Sequence, residues 1–152
     1  MDNESKTAPN LAVSSSQMSP SNPDEKWMRR ALEEAWKGVG LTSPNPTVGA
    51  VVVKDEMELG SGYHHRAGLP HAEREAIADV VAKHGAEALH GATIYVTLEP
   101  CSTVAKTPAC TSGILENKIR RVVYGAVDPN PEHAGAADIL LREQGIEVTA
   151  GV

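Results

Sequence analysis

The sequence predicts an α/β protein in which helices cover both faces of a five-stranded mixed sheet, giving three layers in an α/β/α arrangement. Apolar residues at helical spacing alternate along the chain with short β-branched runs, in the order α-β-β-α-β-α-β-α-β. The first two strands follow each other directly and indicate a hairpin, whereas helices separate the later strands. A sheet that combines a hairpin with helical crossovers is mixed and needs a layer of helices on each face.

The length of 152 residues and the hydrophobic fraction of 41% allow one domain with a sizeable core. Residues 1–21 are rich in Ser, Asn, Pro and Thr and have no hydrophobic period. We therefore expect a disordered N-terminal tail over residues 1–21 and one folded domain over residues 22–152.

The first helix is predicted to begin at Asn22-Pro23, because Asn suits the N-cap and Pro the first helical position. Gly38 and Gly40 end it. Its apolar residues recur at helical spacing, so both tryptophans are expected in the core. The residues of this face are Trp27, Met28, Ala31, Leu32, Ala35 and Trp36.

A hairpin is predicted next, with strands at 48–54 and 57–63 separated by Asp55-Glu56. Gly60-Ser61-Gly62 lacks the following helix and the third glycine of a phosphate loop, so we interpret it as the end of the second strand. The later elements have the spacing of helices and strands in turn. Helices are predicted at 72–84, 108–117 and 136–144, and strands at 93–98, 121–127 and 146–149.

Two short motifs carry the chemistry of the chain. His71-Ala72-Glu73 supplies an imidazole and a carboxylate, and Pro100-Cys101 followed by Cys110 supplies two thiolates. The chain has only two cysteines, and both belong to this set. One imidazole and two thiolates are the ligands of a zinc site with an open fourth position, and Glu73 remains as a general acid and base.

The predicted elements place these residues at the beginnings of two helices. Pro70 leads into a helix but does not sit within one, so His71 lies just outside the regular turn, where it can converge with Glu73. Cys101 follows a strand, and Cys110 lies in the first turn of the next helix, with Thr107 as N-cap and Pro108 at the first position. The helix start lowers the pKa of a thiol there.

The other histidines leave one rival interpretation of the site. His64 or His65 could be a fourth zinc ligand, which would close the site and make it structural. His84, His90 and His133 have no partner in the sequence, and we interpret them as surface residues.

Composition excludes several classes of function. A net charge of −6 and an aromatic fraction of 3% disfavour a nucleic-acid partner. The chain has no run of 18 apolar residues that could span a membrane. Its polar, acidic start does not resemble a signal peptide, and we expect a cytoplasmic protein that uses its cysteines as thiolates.

The chain resembles the deaminase of the riboflavin-biosynthesis pathway, a branch of the cytidine-deaminase superfamily. Eight residues separate Cys101 from Cys110, a spacing typical of that branch. The resemblance covers the chain from about Trp27 onward and implies a cytidine-deaminase-like fold. The motifs that carry it are Thr42-Ser43-Pro44-Asn45-Pro46-Thr47-Val48-Gly49-Ala50, Ala67-Gly68-Leu69-Pro70-His71-Ala72-Glu73, Thr97-Leu98-Glu99-Pro100-Cys101, Lys106-Thr107-Pro108-Ala109-Cys110 and Asp128-Pro129-Asn130-Pro131.

The resemblance implies a zinc-dependent hydrolase that deaminates 2,5-diamino-6-ribosylamino-4(3H)-pyrimidinone 5′-phosphate. Zinc would be held by His71, Cys101 and Cys110, with Glu73 as the proton shuttle. Asn45 resembles the family asparagine that holds the pyrimidine. The other matches to positions around the substrate are His64, Lys106, Asp128 and Asn130, and Lys106 is the natural partner of the phosphate.

The chain departs from the family at Thr103-Val104-Ala105, where many members have His-x-Gly. This difference leaves open another free pyrimidine or purine nucleotide, or the reduced ribitylamino compound, as substrate. A non-catalytic zinc-stabilised scaffold is the alternative outside enzymes, although it has no use for Glu73.

Bacterial relatives usually continue into a reductase domain. We therefore expect a reductase partner, either a separate protein or part of a longer chain. We also expect a homo-oligomer.

Overall fold

A computed structural model of the chain describes residues 22–42, 46–66, 69–101, 110–126 and 135–152. These residues form a five-stranded sheet with the order β2-β1-β3-β4-β5. The strands are β1 (Gly49–Lys54), β2 (Met57–Tyr63), β3 (Thr93–Leu98), β4 (Arg121–Ala126) and β5 (Glu147–Ala150). The α-helices are α1 (Pro23–Trp36), α2 (Ala72–His84), α3 (Cys110–Glu116) and α4 (Ala136–Glu143), and a 3₁₀ turn covers Ala86–Leu89.

The directions of the strands bring four chain segments to one edge of the sheet. β1 is antiparallel to both of its neighbours, β2 and β3, whereas β3, β4 and β5 are parallel to one another. β2, β3, β4 and β5 therefore share one direction, and β1 begins where they end. We call this side of the sheet the carboxyl edge. The predicted mixed sheet with an opening hairpin is confirmed.

Helices cover both faces of the sheet, as the sequence predicts. One apolar core lies between the sheet and helices α2, α3 and α4, and it includes Val80, Ile114 and Leu141. A smaller core lies on the other face, where Met28 and Ala31 of α1 pack against the sheet. Fully burying a Val, Ile, Leu or Met side chain stabilises a fold by about 1.5–3 kcal/mol.

Helix α1 begins as predicted but presents a narrower apolar face. The side chain of Asn22 accepts a hydrogen bond from Asp24 N at 2.9 Å, and Pro23 follows at the first helical position. The prediction that both tryptophans pack in the core is wrong for Trp36, which is 72% exposed. A Cβ on Gly49 would meet the backbone of α1 at Ala31 and Ala35. The helix therefore contacts the sheet along that line, and Trp36 faces outward.

Two glycines of β2 let helix α2 pack directly on the sheet. A Cβ at Gly62 would lie 2.5 Å from Ala76 N, and one at Gly60 would lie 2.8 Å from Val80 N. Real side chains do not approach a backbone this closely, so only glycine fits at both positions. Gly60-Ser61-Gly62 thus lies within β2, as predicted, and its glycines determine the distance between β2 and α2.

Other boundaries agree with the predicted elements to within a residue or two, where the structure describes them. The predicted tail over residues 1–21 lies outside the described residues, as do Thr107 and Pro108, the predicted start of α3. Among the described residues, no helix combines the length and the apolar character that crossing a membrane requires.

The close approach of α2 to β2 generates a stability prediction. Gly62→Ala should lower the free energy of unfolding by about 1–3 kcal/mol, because its methyl group must displace the backbone of α2. Gly113→Ala is the matched control, since a Cβ there meets Ile77 Cδ1 at an ordinary 3.6 Å. Chemical denaturation of both variants checks this, and equal stability of the two would contradict the packing.

A second prediction concerns the ion pair that joins α1 to β4. Asp24 accepts two hydrogen bonds from the Arg121 guanidinium, at 2.8 and 2.7 Å, and one from Tyr95 Oη at 2.9 Å. Hydrogen bonding to Arg121 holds the pKa of Asp24 below its ordinary value of 3.8. The pair is therefore fully stabilising above that value and is lost as the pH falls through the lowered pKa.

Asp24→Asn should lower the free energy of unfolding by about 1–3 kcal/mol near neutral pH. The difference from the wild type should shrink progressively once the pH falls below the ordinary pKa of 3.8. Urea denaturation of both proteins between pH 7 and pH 3 measures it. A difference that stays constant, or grows, towards low pH would contradict the assignment.

Candidate metal centre and active site

His71 lies at the N-terminus of α2 with its side chain free for another use. It is the N-cap residue, with extended φ and ψ of −74° and 165°, and its ring makes no capping hydrogen bond. The preceding Pro70 and the following helix thus place the imidazole just outside the first turn, as the sequence predicts. Glu73 lies inside that first turn, on the buried side of α2.

Cys101 and Cys110 meet where β3 ends and α3 begins. Cys110 is the first residue of α3, and its backbone N–H donates to Cys101 Sγ at 3.2 Å. The N–H of Thr111 donates to the carbonyl of Cys101, also at 3.2 Å. The start of α3 is therefore attached to the carboxyl edge through Cys101. Neither cysteine forms a disulfide.

The three side chains come together in a geometry that suits a tetrahedral metal ion. His71 Nδ1 lies 3.3 Å from Cys110 Sγ and 3.6 Å from Cys101 Sγ. All three ligand atoms lie within 4.8 Å of one another. Tetrahedral zinc, with bonds of about 2.0–2.1 Å to nitrogen and 2.3 Å to sulfur, separates a nitrogen and a sulfur ligand by about 3.6 Å. The donor set and its spacing therefore fit Zn²⁺.

The three groups hold a proton that a cation could replace. Hydrogen bonding from Cys110, assisted by His71, lowers the pKa of Cys101 to about 4. The same contact and burial raise the pKa of Cys110, and hydrogen bonding to Cys101 raises that of His71. The cluster thus combines the thiolate of Cys101 with the thiol of Cys110. Metal binding to such a cluster releases protons.

Glu73 is a buried carboxyl group beside this cluster. It is only 4% exposed, and desolvation raises its pKa to about 7. It is not a member of the candidate metal group. A carboxyl group with a pKa near neutrality can both accept and donate a proton under physiological conditions.

His64 supports the cluster from the side, and the described contacts do not make it a fourth ligand. Its Nδ1 donates to the carbonyl of Pro70 at 3.1 Å, and its ring stands edge-on to that of His71 at 5.2 Å. The metal-binding group found among the described residues contains neither His64 nor His65. His65 is exposed and stacks on Tyr63 at 4.2 Å.

Arg74 is a charged neighbour of the cluster that the sequence patterns did not indicate. A Cβ at Gly113 would lie 3.7 Å from Arg74 Cζ, so the guanidinium lies against α3, one turn beyond Cys110. The positive charge of Arg74 acts to lower the pKa values of Cys110 and His71, although other contacts raise both of them overall. The only signal in the sequence is the position of Arg74 directly after His71-Ala72-Glu73.

Four of the five predicted substrate contacts lie outside the part of the chain that the structure describes. Asn45, Lys106, Asp128 and Asn130 are outside the described residues. Of the predicted substrate contacts, only His64 is described, and it is buried next to His71.

Comparison with known proteins agrees with this geometry. Residues 21–126 match the family model described as the cytidine and deoxycytidylate deaminase zinc-binding region. Riboflavin biosynthesis protein RibD of Aquifex aeolicus is 49% identical over 129 residues, which are 85% of this chain and 35% of that protein. The chain therefore spans about a third of the length of this curated relative.

Two solved structures are also similar. A diaminohydroxyphosphoribosylaminopyrimidine deaminase/5-amino-6-(5-phosphoribosylamino)uracil reductase of Thermotoga maritima has a TM-score of 0.80 and 49% identity, covering 86% of this chain and 36% of that one. Rib2 deaminase of Aspergillus oryzae in complex with DARIPP has a TM-score of 0.69 and 25% identity, covering 85% of this chain and 84% of that one.

The three-residue cluster predicts one zinc ion per chain. His71→Ala and Cys101→Ser should lose it, because each removes a ligand atom. His64→Asn should retain it, since an asparagine amide can replace the ring N–H that bonds to Pro70. Metal analysis of the purified variants by mass spectrometry measures this, with the exposed His84→Ala as control. Zinc loss from His64→Asn as complete as that from His71→Ala would indicate a closed, four-ligand site.

Proposed function

Because the chain belongs to the cytidine and deoxycytidylate deaminase zinc-binding family, we propose that it is a zinc-dependent deaminase of riboflavin biosynthesis. Its substrate would be 2,5-diamino-6-ribosylamino-4(3H)-pyrimidinone 5′-phosphate, which it would hydrolyse at the 2-amino group to a pyrimidinedione and ammonia. The observation that carries this proposal is the buried carboxyl group of Glu73 beside the His71, Cys101 and Cys110 cluster.

The residues of the cluster account for the chemistry of the proposed reaction. His71, Cys101 and Cys110 would hold zinc, which supplies a water of lowered pKa and hence hydroxide near neutral pH. Glu73 accepts the proton of the attacking water, as its raised pKa allows. It passes this proton to the ring nitrogen, then takes the second proton of the water from the hydroxyl group on the attacked carbon and delivers it to the departing amine, which leaves as ammonia. Burial of Glu73 keeps bulk water from competing for these protons.

The substrate assignment is supported by the named relatives and by the topology. The similar proteins are named for riboflavin biosynthesis and for deamination of a phosphoribosylaminopyrimidine. β2, β3 and β4 end at the carboxyl edge, and β1 begins there. In the sequence, the residues that we propose as substrate contacts lie shortly before β1 or after one of the other three strands: Asn45, His64, Lys106, Asp128 and Asn130.

Two alternatives are less well supported. A non-catalytic scaffold would have no need for Glu73, whose burial costs free energy that a structural zinc site does not recover. A nucleic-acid substrate would require a basic surface and stacking aromatics, which a net charge of −6 and 3% aromatic residues do not favour. Another free nucleotide or the reduced ribitylamino compound remains the main alternative substrate.

We further propose three features of the biological context. The product would pass to a reductase, either a separate protein or part of a longer chain. The protein would be cytoplasmic, because its two free thiols suit a reducing compartment.

The protein would also form a homo-oligomer, because apolar side chains are exposed in α1 and just after it. Sedimentation velocity measures the oligomeric state. These side chains are Leu32, Trp36, Val39 and Leu41.

The direct test of the proposed function is ammonia release from candidate nucleotides by the purified zinc form. The phosphorylated diaminopyrimidine should be the preferred substrate over the ribitylamino compound and over cytidine nucleotides. Preference for another nucleotide, with zinc bound, would overturn the substrate assignment and leave deamination intact.

Glu73→Gln should retain zinc and the fold but lose about 10²–10⁴-fold in kcat, because the nearly isosteric amide cannot carry the proton. Glu75→Gln, two residues along the same helix, is the matched control and should deaminate at the wild-type rate. Steady-state kinetics with metal analysis decides between them. Activity of Glu73→Gln within a few-fold of the wild type would remove Glu73 from the mechanism.

Lys106→Ala tests recognition of the phosphate. It should weaken kcat/KM for the phosphorylated substrate by ~1.5–3 kcal/mol, the range for hydrogen bonds to charged groups, and should hardly affect a dephosphorylated analogue. Lys83→Ala, which breaks only an exposed pair with Asp79, is the control. Equal losses on both substrates would show that Lys106 does not contact the phosphate.

A further inference from the structure

Glu99 is a buried carboxylate at the carboxyl edge for which the proposed mechanism has no use. It follows the last residue of β3 directly, lies two residues before Cys101, and is 4% exposed. Its backbone contacts the end of β4, and its side chain contacts the start of α4. A buried charge of this kind is stable only when hydrogen bonds satisfy it.

The carboxylate of Glu99 caps helix α4 from a different strand. Oε1 accepts the N–H of Gly135 at 3.0 Å, and Oε2 accepts the N–H of Asp138 at 3.4 Å. These are the N-cap and N3 amides of α4, the two donors that a capping box satisfies with side chains of the helix itself. Gly135 has no side chain for this purpose, and its φ of +79° suits glycine.

The side chain of Asp138, which would complete an ordinary capping box, is engaged elsewhere. It accepts the hydroxyl of Tyr124 at 3.0 Å and pairs with Arg142. Glu99 thus supplies both halves of the cap, and its negative charge also favours the helix N-terminus.

The backbone of Glu99 holds the preceding strand as well. Its N–H donates to the carbonyl of Ala126, the last residue of β4, at 2.8 Å. One residue therefore binds the chain on both sides of residues 127–134, at Ala126 through its backbone and at Gly135 through its side chain. Asp128 and Asn130, two of the proposed substrate contacts, lie between these points in the sequence.

We propose that Glu99 is a positioning residue for substrate binding, which sets the distance between the end of β4 and the start of α4 without touching zinc or substrate. This inference rests on the proposed function, because Asp128 and Asn130 are substrate contacts only there. Glu99 thereby links the strand that leads to Cys101 with the segment that carries those two residues. Loss of the cap affects substrate affinity more than the chemical step.

Glu99→Gln tests the proposal, because the amide keeps the size of the side chain but can accept from only one of the two N–H groups. KM for the phosphorylated pyrimidine should rise about tenfold while kcat stays within about threefold of the wild type, with one zinc per chain. Tyr124→Phe is the matched control, since it removes a hydrogen bond to Asp138 and leaves the cap in place. It should lower stability without changing KM.

An unchanged KM in a folded, zinc-loaded Glu99→Gln protein would overturn the proposal and leave Glu99 a structural cap. Loss of zinc from that variant would overturn it too, by showing that Glu99 acts through Cys101. A second measurement needs neither the variant nor activity. Amide hydrogen exchange of the wild type should show protection at Gly135 and Asp138, and exchange at the unprotected rate would contradict the cap. Hydrogen exchange therefore tests the cap independently of the proposed function. Absence of ammonia release by the wild type would contradict that function but not the cap.

Discussion

The structure depends on the meeting of two helix N-termini at one edge of the sheet. His71 Nδ1, Cys101 Sγ and Cys110 Sγ come within 4.8 Å of one another although the residues lie up to 39 positions apart in the chain. No local interaction can bring them together. The parallel direction of β2 and β3 places the ends of both strands at the carboxyl edge, and the helices that follow begin there. The glycines of β2 then let α2 approach closely enough for His71 to reach the two sulfurs.

The same geometry explains why a carboxyl group can be buried at this point. Glu73 lies at the start of α2, where the helix dipole favours negative charge, but its burial raises its pKa to about 7. A buried carboxyl group destabilises the fold, but with a pKa near neutrality it can accept and donate protons. Arg74, the next residue of α2, adds positive charge that acts to lower the pKa of Cys110. Burial of Glu73 thus lowers the stability of the fold, and the surrounding core of Val, Ile and Leu side chains keeps the site folded.

Much of this arrangement is predictable from the sequence, because each element has local signals. Asn22-Pro23 marks the start of α1, and Pro70 places His71 just before α2, as the structure has it. Long-range contacts are not predictable in this way. The outward position of Trp36 follows from the approach of α1 to Gly49, and the role of Glu99 follows from its contact with a helix 36 residues away. No local sequence pattern distinguishes Arg74 or Glu99 from other charged residues, because their contacts come from distant parts of the chain.

We infer that the carboxyl edge of the sheet holds zinc with three protein ligands and one open position. X-ray absorption spectroscopy of the zinc-loaded protein tests it most directly, since it counts sulfur atoms and imidazole rings around the metal. We expect two sulfurs at about 2.3 Å, one imidazole nitrogen at about 2.0–2.1 Å and one further light atom that is not an imidazole. A second imidazole ring in place of that light atom would mean a closed structural site and would contradict the account.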